Sequence, residues 1–134
     1  MSGVSAKVRE QVRERARQRC EYCRKPEGVS AYSHQVEHVI AIKHDGPSTL
    51  DNLAWACFQC NNYKGPDIAS YDKETNTLTP LYNPRQDQWD DHFFLDDAMI
   101  VGKTPTGRVT IRILQMNHPD QIETRVYLLK AGLW

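Results

Sequence analysis

The sequence predicts an α+β fold, and three observations carry that prediction. Two Cys-x2-Cys pairs, Cys20-Glu-Tyr-Cys23 and Cys57-Phe-Gln-Cys60, sit at metal-knuckle spacing. Between them, β-branched and apolar runs alternate with turn residues, as strands joined by a loop require. In front of them, Val8, Val12 and Ala16 recur every four residues, the mark of a helix with one narrow apolar stripe.

Taken in order, Ser5 can cap a helix running to about Arg19, most of whose surface is charged. Such a helix is either laced with Glu–Arg pairs or turned towards phosphate. Cys20 to Cys23 form the first knuckle, with Tyr22 packed on it, and Pro26-Glu27-Gly28 turns the chain away. Residues 35–42 read as a strand, Asp45-Gly46-Pro47 as a turn, and residues 53–57 as the returning strand. Residues 61–64 begin a short helix that stops at Gly65-Pro66.

The cysteines then close one tetrahedral site, and zinc is the expected ion. In a secreted chain they could form two disulfides instead. Met1 to Cys20 lacks the apolar run of an export signal, so metal is favoured and a cytoplasmic location is expected. No stretch is long and apolar enough to suggest a membrane span.

Beyond Pro66 the reading is a hairpin over residues 71–82, turning at Asp72 to Asn76. Two strands follow, Phe93 to Leu95 and Met99 to Val101, around Asp96-Asp97. Residues 109–113 alternate like a strand, yet Val109, Ile113 and Met116 also fit a helix face. Pro119 opens a final helix to about Lys130, stopped by Gly132, with Trp134 folding back on the core. The expected organisation is a helix and zinc-stapled core over 1–66, and an extension over 67–134 that packs on it as one compact unit.

Lys plus Arg and Asp plus Glu both total 17, which excludes a bulk polycation. The distribution is uneven. Lys7 to Lys25 is rich in arginine and lysine, and Asp67 to Asp97 is rich in acid. Such asymmetry can orient a neutral molecule on a polyanion.

Glu37-His38, then Asn52-Leu53, then Cys57-x-x-Cys60-Asn61-x-x-Lys64-Gly65 resembles the HNH endonuclease motif in its four-cysteine zinc form. The resemblance covers roughly residues 16–66 and implies a ββα-metal core that cuts DNA with one divalent ion. Segments after it, Pro80 to Arg85, Trp89 to Phe93 and Thr104 to Arg108, are similar to an extension in many small bacterial HNH proteins, and favour a helix over 109–113.

The resemblance implies a role for each residue. His38 matches the general base that deprotonates the attacking water. Glu37 matches the acidic ligand of the catalytic ion, usually Asp. Asn61 matches the motif's last letter, often His, and would be the second ligand. Asn52 matches the Asn that braces the loop and positions the base. Cys20, Cys23, Cys57 and Cys60 match the structural zinc ligands.

Elementary chemistry points the same way. Imidazole suits proton abstraction near neutral pH, and one divalent ion can stabilise both the phosphate and the leaving oxygen. An all-oxygen set of Glu37 and Asn61 favours Mg²⁺ or Mn²⁺, with Asn62 a rival for Asn61. Adjacent strand residues point to opposite faces, so Glu37 and His38 cannot both face a site from regular strand. Arg9, Arg13 and Arg17 on the helix, and Lys64, are the expected contacts to DNA, taken as double-stranded. Singly, each of these residues also has an ordinary structural reading: a surface pair, a turn residue, a helix cap. The other class of function is a zinc-knuckle module that binds nucleic acid or protein without cutting.

Overall fold

The computed structural model describes residues 4–134. Helix α1, Ala6–Arg15, starts where Ser5 Oγ accepts the Val8 N–H at 3.1 Å. It ends four residues short of the expected Arg19, because Arg17 and Gln18 both turn left-handed (φ 57° and 55°). That reversal brings Arg19 beside Pro26 as an isolated bridge and closes the chain around the first knuckle.

Strand β1, Gln35–His38, pairs antiparallel with β2, Leu53–Ala56, in a register that sets Gln35 opposite Ala56 and His38 opposite Leu53. β1 is half its expected length. Its continuation is diverted because the Asn52 side chain, rather than a neighbouring strand, takes both backbone groups of Ile40. Short 3-10 turns, Ile42–His44 and Leu50–Asn52, complete the loop. Helix α2, Phe58–Lys64, begins earlier than expected because Cys57 itself serves as its N-cap, accepting the Cys60 N–H. Gly65 (φ 49°) ends it.

The extension follows its expected order. β3, Ala69–Asp72, pairs with β4, Thr77–Pro80, through a turn in which Asn76 is left-handed (φ 61°). The short helix α3, Trp89–His92, leads into the hairpin of β5, Phe93–Asp96, and β6, Met99–Gly102. Residues 109–113 lie in helix α4, Pro105–Ile113, capped by Thr104, so the helical period wins over the alternation. α5, Pro119–Lys130, carries proline in its first turn, and Gly132 (φ 72°) follows it.

Two apolar clusters hold these elements. The smaller seats Val8, Val12 and Ala16 of α1 on Leu53 and Trp55. The larger runs from Cys20, Tyr22, Cys57 and Cys60 through Leu81, Tyr82 and Phe93 to Val109 and Leu114, so the core and the extension share one interior. Among the described residues, no helix is long and apolar enough to cross a membrane.

Candidate functional site

The four thiols come from two tight turns, the Cys20–Cys23 knuckle and the first turn of α2. All four are buried, and their Sγ atoms lie within 4.8 Å of one another. A tetrahedral zinc with Zn–S near 2.3 Å needs sulfurs about 3.8 Å apart. Cys23 and Cys57 already stand at 3.7 Å, so the set fits such an ion. Backbone N–H groups of Tyr22 and Cys23 donate to Cys20 Sγ, each at 3.4 Å, as does that of Cys60 to Cys57 Sγ. Hydrogen bonding among the thiols lowers the Cys57 pKa and raises those of Cys23 and Cys60, so without an ion the cluster favours one thiolate shared among its neighbours.

Glu37 and His38 part company as the strand period requires. Gln35 and Glu37 face α2. Asn61 Nδ2 donates to Gln35 Oε1 at 2.8 Å, and Lys64 Nζ lies 2.6 Å from Glu37 Oε2. Asn62, the rival to Asn61, is exposed and lines a separate hollow with Phe58, Tyr63 and His118.

Glu37 is only 4% exposed and its carboxylate is engaged at both oxygens. Oε1 accepts the Tyr22 hydroxyl at 2.6 Å, while Oε2 meets Lys64 as a charge contact rather than a well-angled hydrogen bond. Burial pushes the Glu37 pKa up, and Lys64, then Tyr22, oppose that shift. Lys64, expected at a phosphate, is instead 1% exposed and also donates to the Val39 carbonyl at 2.9 Å. A carboxylate with an amide oxygen suits Mg²⁺ or Mn²⁺ in chemistry. The arrangement does not offer that pair, because an ammonium already occupies the cation position at Glu37.

His38 is half-exposed, and its Nε2 lies 2.8 Å from Ser48 Oγ across the loop. Burial, then the charge of Lys64, lower its pKa, so the imidazole is neutral at pH 7. Asn52 governs that loop. Its Oδ1 accepts the Ile40 N–H at 3.0 Å, and its Nδ2 donates to the Ile40 and Pro47 carbonyls, both at 2.9 Å. Gly46 fits beneath it only without a side chain, since a Cβ would stand 1.7 Å from Ile40 O.

The arginines expected on one DNA-facing helix are divided. Arg9 lies over the Trp55 ring at 5.0 Å. Arg13 is paired to Glu27 at 3.0 Å and Glu10 at 3.1 Å, and Glu27 also accepts the Trp55 indole N–H at 2.6 Å. Arg17 lies beyond the end of the helix. His34 is buried and bonded to the Lys25 carbonyl at 2.9 Å.

Two residues escaped the sequence reading. Tyr22 was legible as a packing residue, but nothing marked its hydroxyl as a partner for Glu37. Ser48 lies in a turn-rich stretch with no pattern tying it to His38.

Residues 20–67 match the family model of the HNH endonuclease. No curated protein and no solved structure matches the chain.

Proposed function

We propose, from the match of residues 20–67 to the HNH endonuclease family model, that the protein is a metal-dependent endonuclease that hydrolyses DNA phosphodiester bonds with His38 as general base. The observation that carries this reading is a neutral, half-exposed imidazole at the mouth of a loop braced by Asn52. Nε2 is the atom we assign to take the proton, and an attacking water would replace Ser48 Oγ, which lies 2.8 Å from it. Asn52 acts on the reaction indirectly, by fixing the backbone that follows His38.

Zinc is the ion we assign to Cys20, Cys23, Cys57 and Cys60, with a structural role because all four ligands are thiols. A divalent cation at the scissile phosphate supplies charge stabilisation when bound. Asn61, partly exposed on the face of α2 towards β1, is the ligand candidate accessible to it. Glu37 joins such an ion only if Lys64 leaves its oxygen.

Plasmid nicking with Mg²⁺, with Mn²⁺ and with EDTA tests the proposal. Cleavage is expected with the ions and none with EDTA. His38→Ala should lower the rate by about 10²–10⁴, the usual worth of a positioned base, with metal content and DNA affinity unchanged. The acid limb of the wild-type pH–rate profile should fall below the ordinary histidine value, because protonation of His38 is disfavoured in the fold. Wild-type cleavage by His38→Ala would sink the assignment.

The Glu37–Lys64 pair favours a second reading, a zinc-knuckle module that binds nucleic acid without cutting it, since it makes the motif's acid structural. Failure of the wild-type protein to cut any DNA with any divalent ion would select it.

A further inference from the structure

We propose that the cleft between the end of α1, the first knuckle and Trp89 is a second binding site, which takes a backbone phosphate of a nucleic-acid strand. The cleft holds about 320 Å³, at the lower end of the range for ligand sites. Four arginines line it, Arg15, Arg17, Arg19 and Arg24. Its one acidic lining residue, Glu21, is already consumed. One carboxylate oxygen pairs with Arg85, and the other accepts the Trp55 N–H at 2.8 Å. Among the described residues, none of the four arginines has a carboxylate partner.

The positive charges are held in place by neutral groups. Arg15 donates to the Leu50 and Leu53 carbonyls at 2.9 and 2.6 Å. Arg19 donates to the Arg24 carbonyl at 3.1 Å, and the Arg24 guanidinium lies 4.6 Å over the Trp89 ring. Burial, then the charge of Arg85, lower the Arg15 pKa, and Glu21, itself paired to Arg85, opposes them. Arg17 and Arg24, both at left-handed turns of the backbone (φ 57° and 74°), line the same cleft. Uncompensated guanidinium groups held in this way suit a phosphate better than any other common ligand.

The place in the fold ties the cleft to the candidate site. Leu53, whose carbonyl accepts from both Arg15 and Arg85, is the register partner of His38. Arg15, which lines the cleft, is thereby anchored to the strand paired with that of the proposed base. In this proposal a strand with its scissile phosphate at His38 places another of its phosphates in the cleft. This rests on the nuclease reading for its choice of nucleic acid as the ligand.

The test is a fluorescence-anisotropy titration of a short labelled duplex over a range of salt concentrations, with the full chain and no added divalent ion. Arg17→Gln removes a side chain with no hydrogen-bonding partner among the described residues, so its fold should be intact. Arg17→Gln/Arg24→Gln should weaken binding about tenfold or more, as removal of charged hydrogen bonds implies. The salt slope should fall by about 0.9 for each phosphate that the variant no longer neutralises. Arg112→Gln, on the extension, should bind as wild type does. Unchanged affinity and slope in both cleft variants, with normal circular dichroism and metal content, would overturn the site. A mononucleotide bound as tightly as the duplex would also overturn it, because a strand would then not be the ligand. A protein that binds DNA through these arginines but never cuts keeps the cleft and loses the nuclease reading. A protein that cuts, with the cleft variants binding normally, loses the cleft alone.

Discussion

At the scale of single residues, Glu37 is governed by its surroundings more than by its place in the motif. A carboxylate buried to this degree needs a partner, and Lys64 supplies it. Truncation of either partner leaves the other charge buried and unpaired, a loss of about 3–5 kcal/mol. Glu37→Ala should therefore reduce stability strongly, so its effect on cleavage cannot be read as loss of a metal ligand. Glu37→Gln/Lys64→Met removes both charges at similar volume and should recover most of that loss. Urea unfolding of both singles and the double checks this. A double variant as unstable as the sum of the singles would mean that the pair does not act as one unit. The sequence showed an acid beside a histidine and a lysine at the end of a helix. It did not show that strand alternation, the direction of α2 and the Tyr22 hydroxyl turn the acid inwards, because those are facts about packing.

At the scale of elements, the loop after β1 depends on one side chain and one missing side chain. Asn52 replaces the hydrogen bonds that a longer strand would have made, and Gly46 permits the close approach that this needs. Asn52→Ala should cost about 1–3 kcal/mol for the exposed or unpaired backbone groups, and should lower the cleavage rate more than DNA affinity. Gly46→Ala should do the same by collision with the Ile40 carbonyl, while leaving metal content normal. Metal analysis with nicking assays separates these outcomes from global unfolding. Helix and strand identities were legible from Val8, Val12 and Ala16, from the β-branched run after Gln35, and from Pro119. Their ends were not. β1 stops at His38 because of a residue that lies beyond the next turn, and α1 stops at Arg15 although nothing in its local sequence breaks a helix. The two left-handed residues there serve the bridge from Arg19 to Pro26, which is a tertiary requirement.

At the scale of the whole molecule, the four buried cysteines belong to the larger apolar cluster, which the extension shares. A strong chelator should therefore unfold more than the knuckles. The buried Trp55 should report the change in fluorescence, and the far-ultraviolet circular dichroism should fall with it. Survival of both signals after complete removal of zinc would show that the apolar contacts alone hold the core. The shared interior has a second effect on how the chain is divided. Residues 1–66 supply the motif, but they leave Tyr22 and the cysteines without the cover of Tyr82 and Phe93.

Tyr22 sits at a junction of three parts. Its backbone belongs to the knuckle, its carbonyl accepts the Trp89 indole N–H at 2.7 Å, and its ring meets Tyr82 edge-on at 6.4 Å while its hydroxyl holds Glu37. In terms of descent, the two halves are poor candidates for exchange. Recombination that grafts a different tail after residue 66 must bring an indole and a phenol to the same points, or the knuckle loses its neighbours together with the candidate site. The chain is therefore expected to diversify by substitution on its surface rather than by shuffling of its parts.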